Sequence, residues 1–370
     1  MNKIDELANT IVNYSISVEE KENVLITTDT FEALPLIKKI IDYIYKNKGN
    51  VEVRFSDATI NSKVLGYVSD EKIKLMTKQK KFDVDNFDCF IAIRCSTNDY
   101  ENSKVNKDNI KRINKALEKY NDIRVNEKKW VLLNYPTHLD AHKAKMPYDD
   151  FKEYAFDVMT VNYQKMGKDI EALKSLMEKT DRVRLTGKDT DITFSIKNMP
   201  IIPCVGDKNI PDGEIYCAPL KTSVNGTIKY NTPSPYRGTV FNGVKLTFEN
   251  GKIVSATCDN KEEEQKLNEI FDTDEGSRYI GEFSIGLNPL IKDPMGDILY
   301  DEKIIGSIHF TPGMAYEDSF NGNKSTIHWD MVLIQREEYG GGNIYFDDKL
   351  IRENGIFVIP ELEHLNMKNK

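Results

Sequence analysis

VLITTDTFEALPLIKKIIDYIYKNKGNVEVRF, residues 24–55, holds the apolar run VLITT at 24–28, apolar residues at helical spacing from Leu34 to Tyr45, and VEVRF at 51–55. A strand pattern, a helix pattern and a second strand pattern in that order make a βαβ unit. Upstream, Ile4, Leu7, Ala8 and Ile11 recur at helical spacing with Asp5 and Glu6 between them. Met1 to Ser17 is therefore expected to be an amphipathic first helix of the mature chain rather than a secretory signal, which carries basic residues and then an apolar block. Downstream, FIAIRC at 90–95 leads to a helix from about Lys107 to Tyr120, and WVLLNYP at 130–136 supplies another buried strand. Apolar spacing predicts further helices over 147–164 and 168–179, and Thr180-Asp181 marks a change of character.

Beyond that point the chain turns β-rich. RVRLTGKDTDITFSI at 182–196, GTVFNGVKLTFENGKIVSATC at 238–258 and GNIYFDDKLIRENGIFVI at 342–359 alternate apolar and polar residues around turns, the last two at Asn250-Gly251 and Asp347-Asp348. The expected architecture is an α/β N-terminal domain, residues 1–180, followed by a β-rich α+β metal-binding C-terminal domain, residues 181–370. The acidic and basic run at 260–266 reads as a solvated helix face.

Composition narrows the function classes. Of 370 residues 39% are apolar and 30% charged, and no apolar stretch approaches the roughly 20 residues of a bilayer-spanning helix. No membrane partner is expected. A formal charge of -8 without a clustered Lys/Arg stripe argues against nucleic acid. The five cysteines are odd in number and lack CxxC spacing, so reduced thiols and a cytoplasmic location are expected. The loop after the first strand, Thr28-Asp29-Thr30-Phe31, has no glycine for a dinucleotide pyrophosphate, and no GxSxG nucleophile elbow occurs.

Histidines and carboxylates remain as carriers of chemistry. In STIHWDMVLI at 325–334, His328 and Asp330 stand two apart in strand-forming sequence, so both emerge on one face while Trp329 and Met331 point the other way. An isolated HxD recurs by chance, and it gains weight only from its company. DEKIIGSIHFTPGMAY at 301–316 adds Glu302, His309 and Tyr316. In NIPDGEIYCAP at 209–219 and YIGEFSIGLNPLI at 279–291, Glu214 and Glu282 stand among apolar residues, and no lysine or arginine alternates with them as a local ion-pair partner. A buried ionised carboxylate needs a cation or hydrogen-bond donors. Together these residues are mixed N and O ligands suited to zinc, cobalt, manganese or magnesium, and more numerous than one ion needs. Two ions some 3.5 to 4 Å apart would share a carboxylate bridge. His138 and His142 read as helix-cap or solvent-facing residues, and His364 lies in a polar tail.

These motifs, with LANTIVNYSISVEEKENVLI, YPTHLDAHKAKMPYDDFKEY at 135–154 and TGKDTDITFSI at 186–196, resemble the thermophilic metalloaminopeptidases of the aminopeptidase T and S type over nearly the whole chain. The resemblance implies a two-metal site in which Glu214, Glu282, His309, His328 and Asp330 are ligands. Glu302 is then a ligand or the general base, and Tyr316 a weak ligand or a donor to the developing oxyanion. It also implies a homodimer and hydrolysis of N-terminal residues from short peptides. One departure stands out: the family glutamate before the first histidine is two residues closer to it than Glu302 is to His309. The rival readings are a dinuclear hydrolase of other amides or esters, and a metal-stabilised binding protein without catalysis.

Overall fold

The computed structural model describes residues 2–95, 97–236 and 238–367. The chain divides into two compact units, Met1–Val161 with Gly206–Pro211, and Asn162–Val205 with Asp212–Lys370. The helix Tyr163–Met177, read from sequence as the end of the first domain, belongs to the second unit.

The first unit carries a five-stranded parallel sheet in the order Asn50–Phe55, Asn23–Thr28, Cys89–Arg94, Lys129–Asn134 and Asn209–Ile210. Val24 pairs with both Val51 and Cys89, so the strand Asn23–Thr28 lies inside the sheet, with Asn50–Phe55 at its edge. Parallel strands are covered on their faces, and Val24, Leu25, Ile26, Ile91 and Ile93 are accordingly buried. The helix Leu34–Lys46 returns the chain between the first two strands and buries Leu36, Ile37, Ile40 and Ile44. The first helix, Lys3–Thr10, buries Leu7 and Ala8 and runs on as a wider turn over Ile11–Ser15. Two helices went unread in the sequence, Ala58–Gly66 and Asp70–Asn86. The first buries nothing and the second only Asp83 and Val84, so neither carries an apolar stripe. No described helix is long and apolar enough to cross a membrane.

The second unit holds an eight-stranded antiparallel sheet, a five-stranded one and a two-stranded one; the first contains the stretches 182–196 and 342–359 and most of 238–258, whose opening strand Thr239–Phe241 pairs instead with Ser234–Tyr236. Asn250, Gly251, Asp347 and Asp348 all have positive φ, the conformation a tight hairpin turn demands at both central positions. Phe194 and Phe248 of the larger sheet meet Phe283 and Phe310 of the smaller one, with ring centroids 4.9 to 6.1 Å apart for the Phe194–Phe283, Phe194–Phe310 and Phe248–Phe310 pairs. This aromatic core lies under the strands Ile280–Gly286 and Ser307–Pro312, which carry the candidate ligands on their other face.

Asp274 anchors the loop that delivers His328. Its carboxylate accepts hydrogen bonds from Ser277, Ser325 and Thr326, and although burial opposes the charge, these donors hold its pKa down to about 2. Because the folded value is lowered, the stabilisation is present above the unfolded carboxylate pKa near 4 and is lost as pH falls from there toward 2. Asp274→Ala is expected to cost on the order of 1–2 kcal/mol at pH 7, after allowance for partial exposure. Urea unfolding at pH 7 and at pH 3 checks this: the gap between variant and parent should narrow at the lower pH.

Candidate metal centre

The five-stranded sheet runs Val332–Ile334, Ser307–Pro312, Ile280–Gly286, Glu214–Cys217 and Ile202–Cys204, all antiparallel. Side chains alternate across its faces, and register decides which residues meet. Ser284 lies opposite both His309 and Tyr216, Glu282 opposite Thr311, and Gly286 opposite Glu214. One face therefore presents Glu214, Tyr216, Glu282, Ser284, His309 and Thr311, while Ile215, Cys217, Phe283, Ile285, Ile308 and Phe310 form the apolar core on the other. Glu302 and Lys303 arrive just after the short helix Ile298–Asp301. Gly286 lets them close in, since a Cβ there would stand 2.3 Å from the Ile304 carbonyl oxygen.

All six candidate ligands converge. Glu214, Glu282 and His309 each offer one atom within 4.8 Å of the others; so do Glu282, His328 and Asp330, and so do Glu302, His309 and Asp330. Glu282 belongs to the first two groups. Its Oε1 lies 2.8 Å from His309 Nε2 and its Oε2 3.5 Å from His328 Nε2. His309 Nε2 is also 3.3 Å from Glu214 Oε2, and His328 Nε2 is 3.2 Å from Asp330 Oδ1. Tyr316 packs its ring 4.5 Å from that of His328 and is 40% exposed.

The strand expected through His328 and Asp330 begins only at Val332. The segment is instead held by a single bridge between Gly313 and His328, and Trp329 N–H donates to the Pro312 carbonyl. The two-residue spacing still places both ligands on one side. Trp329 and Met331 are buried on the other, Trp329 against Phe271 and Phe241.

Two observations fit this donor set to divalent cations. Each histidine turns its Nδ1 toward a backbone carbonyl, His309 to Glu302 at 3.2 Å and His328 to Met314 at 2.8 Å, so Nδ1 is the donor and Nε2 faces the carboxylates. The electrostatics also demand positive charge between them. Burial opposes a charged His309, yet Glu214, Glu282 and Asp330 push its pKa up to about 9; His328 is raised well above its usual value, burial being outweighed by Tyr316, Asp330 and Glu282. Burial also opposes ionisation of Glu282 and Asp330, but the two histidines hold both below the usual carboxylate range. Protons or metal ions can meet that demand, and the N and O donors suit the latter. Glu302 differs: burial first, then Glu214 and Asp330, push its carboxyl up to about 8. Tyr316 is favoured as an anion by His328, but burial and the surrounding carboxylates win and keep its hydroxyl protonated.

Several supporting residues were not singled out from sequence. Thr311 Oγ1 donates to Asp330 Oδ1 at 2.7 Å, and Ser284 Oγ donates to Glu214 Oε2 at 2.9 Å. Lys303 is wholly buried with its ammonium 2.5 Å from Glu214 Oε1, in contact with Glu302, and 3.8 Å from Asp212 Oδ1. Glu214 thus has a lysine partner after all, supplied from 89 positions along the chain rather than from its own segment. In the sequence Lys303 is only the last of three consecutive charged residues, Asp301-Glu302-Lys303, and nothing local marks it for burial. Thr311→Val, which keeps the shape and removes the donor, is expected to weaken metal binding roughly tenfold to a hundredfold, as loss of a ligand-orienting bond does. Competition against a chromogenic chelator measures it.

His138 stacks on Tyr148 at 3.9 Å and His364 Nε2 lies 2.8 Å from the Asp169 carbonyl oxygen. Neither joins a described metal-ligating group.

A family profile for thermophilic metalloproteases (M29) matches residues 1–355. The chain is 31% identical to aminopeptidase T of Thermus thermophilus over 155 residues, 38% of this chain and 37% of that enzyme, and 32% identical to aminopeptidase AmpS of Bacillus subtilis over 128 residues, 34% and 30%. These matches span about a third of the length of the curated relatives. Among solved structures, wild-type AmpT from Thermus thermophilus superposes with a TM-score of 0.78 over 96% of this chain and 99% of that one, at 18% identity. A 2,5-dihydroxypyridine dioxygenase from Pseudomonas putida KT2440 does so with a TM-score of 0.64 over 97% and 98%, at 15% identity. At such identities the structural likeness is one of fold, and an oxygenase sharing it leaves the chemistry to the site.

Proposed function

Because the chain belongs to the thermophilic metalloprotease (M29) family, we propose that it is a metal-dependent aminopeptidase that removes N-terminal residues from short peptides at a dinuclear centre. One observation carries the reading: Glu282 stands in two separate three-donor groups, one completed by Glu214 and His309 and the other by His328 and Asp330. That arrangement supports two divalent ions, zinc, cobalt, manganese or magnesium, with Glu282 as the shared ligand. The charge balance supports it too. The carboxylates of Glu214, Glu282, Glu302 and Asp330 match two dications, while Lys303 is matched by Asp212.

Two bound ions supply Lewis acidity, polarising the scissile carbonyl and lowering the pKa of a water from about 16 to near 7. The chain's own groups then move protons. Glu302, whose carboxylate stands beside His309 and Asp330, accepts a proton from the attacking water and passes it to the departing amine nitrogen. Tyr316, held protonated, donates a hydrogen bond to the carbonyl oxygen as it gains charge. Ser284 and Thr311 keep Glu214 and Asp330 in place.

The names of the relatives support a free N-terminus as the recognised group. The test compares a leucyl peptide with its N-acetylated form: activity on the first alone supports the aminopeptidase, and equal turnover favours a hydrolase of other amides. A homodimer and a reducing, cytoplasmic setting complete the proposal. The stacked pair Phe31 and Phe55, 4.8 Å apart and 70% and 41% exposed, supports a subunit contact, and the five free cysteines support a reducing compartment.

A further inference from the structure

A fourth group of potential ligands adjoins the centre: Cys204, Asp212 and Glu214 each offer one atom within 4.8 Å of the others. Cys204 ends the edge strand Ile202–Cys204 and pairs directly with Glu214, and Asp212 is 1% exposed. Lys303 reaches into this group. Its Nζ lies 2.5 Å from Glu214 Oε1 and 3.8 Å from Asp212 Oδ1, and the side chain is fully buried. Its backbone is fixed at both ends, N–H donating to the Tyr300 carbonyl at 3.0 Å and C=O accepting from Asn288 N–H at 3.0 Å. A buried ammonium persists only where carboxylates compensate its lost hydration, and here they do so from three sides.

Resting on the dinuclear reading, we propose that Lys303 is a built-in cation of this centre, its ammonium taking the place of a third metal ion among Cys204, Asp212 and Glu214. Two consequences follow from the geometry. Glu214 turns Oε1 to Lys303 and Oε2 toward His309, so Oε2 is the oxygen it would offer to the metal pair. The thiol of Cys204, a soft donor that favours zinc and cadmium, is denied a metal, and the centre is limited to two ions.

The experiment is a titration of the metal-stripped protein with zinc, and separately with cadmium, read by calorimetry and by mass spectrometry of the intact holoprotein. The parent is expected to take two ions. Lys303→Met is expected to take a third, with cadmium producing a thiolate charge-transfer absorption that Lys303→Met/Cys204→Ser lacks. A parent that binds three ions, or a folded Lys303→Met that binds two with unchanged affinity, overturns the proposal. Should Lys303→Met fail to fold, Asp212→Asn decides, because it keeps the bond from Gly213 N–H at 3.0 Å while removing the charge that balances the ammonium. It is expected to weaken the binding of the native ions at least about threefold, since a unit charge close to a dication acts strongly at interior dielectrics. Unchanged affinity there overturns the proposal too. A parent that binds no divalent ion at all would instead remove the metal reading on which the proposal rests.

Discussion

Glu282→Ala is expected to abolish tight binding of both metal ions and to lower peptide hydrolysis by about three orders of magnitude or more, the equivalent of roughly 4 kcal/mol of transition-state stabilisation. The side chain is 3% exposed and meets both histidines, at 2.8 and 3.5 Å. No other candidate carboxylate approaches the Nε2 atoms of His309 and His328 together among the described ion pairs. Removing it takes one ligand from both the group with Glu214 and His309 and the group with His328 and Asp330, whereas Glu214→Ala takes one from the first of these and Asp330→Ala one from the second and from the group with Glu302 and His309. The graded outcome is the informative one. Metal content by mass spectrometry should fall toward zero in Glu282→Ala and toward one ion in the other two variants. Full metal content with full activity in Glu282→Ala would show that this residue bridges nothing.

The largest effect on stability is expected at Phe310. It is wholly buried and packs against Phe194, Phe283 and Phe248, joining the two sheets of the second unit directly beneath His309. Phe310→Ala leaves a large cavity in an aromatic layer that has little freedom to collapse, at a cost of about 3–5 kcal/mol. For a unit of this size that corresponds to a fall of roughly 6–20 °C in the unfolding midpoint. The loss acts on the fold rather than on ligand chemistry. The folded fraction should therefore still bind metal, a pattern opposite to that of Glu282→Ala, and calorimetry with and without added metal separates the two.

Much of this arrangement was legible in the residues. Val24 to Phe55 carried the parallel sheet because its alternation of periods is strong, and the hairpins at Asn250-Gly251 and Asp347-Asp348 announced themselves by residues that tolerate left-handed backbone. The convergence of the candidate residues was foreshadowed because a buried carboxylate in an apolar strand, such as Glu282, has few innocent explanations. Local pattern failed where long-range contacts decide. The helices Ala58–Gly66 and Asp70–Asn86 bury almost nothing, so they lack the stripe by which a helix is recognised. Asn209–Ile210 joins the first sheet through Leu132 and Leu133, more than seventy positions earlier, and two residues alone carry no strand signal. Lys303 escaped notice because its partners, Asp212 and Glu214, lie about ninety positions away. The wider spacing from Glu302 to His309 suggested a displaced glutamate. The chain nevertheless brings that carboxylate beside His309 and Asp330, with a turn at Ile304 to Gly306 between Glu302 and the strand of His309.

A two-ion catalytic centre is tested by the rate of leucine release from a free-amine leucyl peptide as metal is returned to the stripped protein in counted equivalents. Activity is expected to rise to a plateau at two equivalents per chain and to disappear when the peptide is N-acetylated. A plateau at one equivalent, or no activity with any of the four ions despite measured binding, would contradict the two-ion centre.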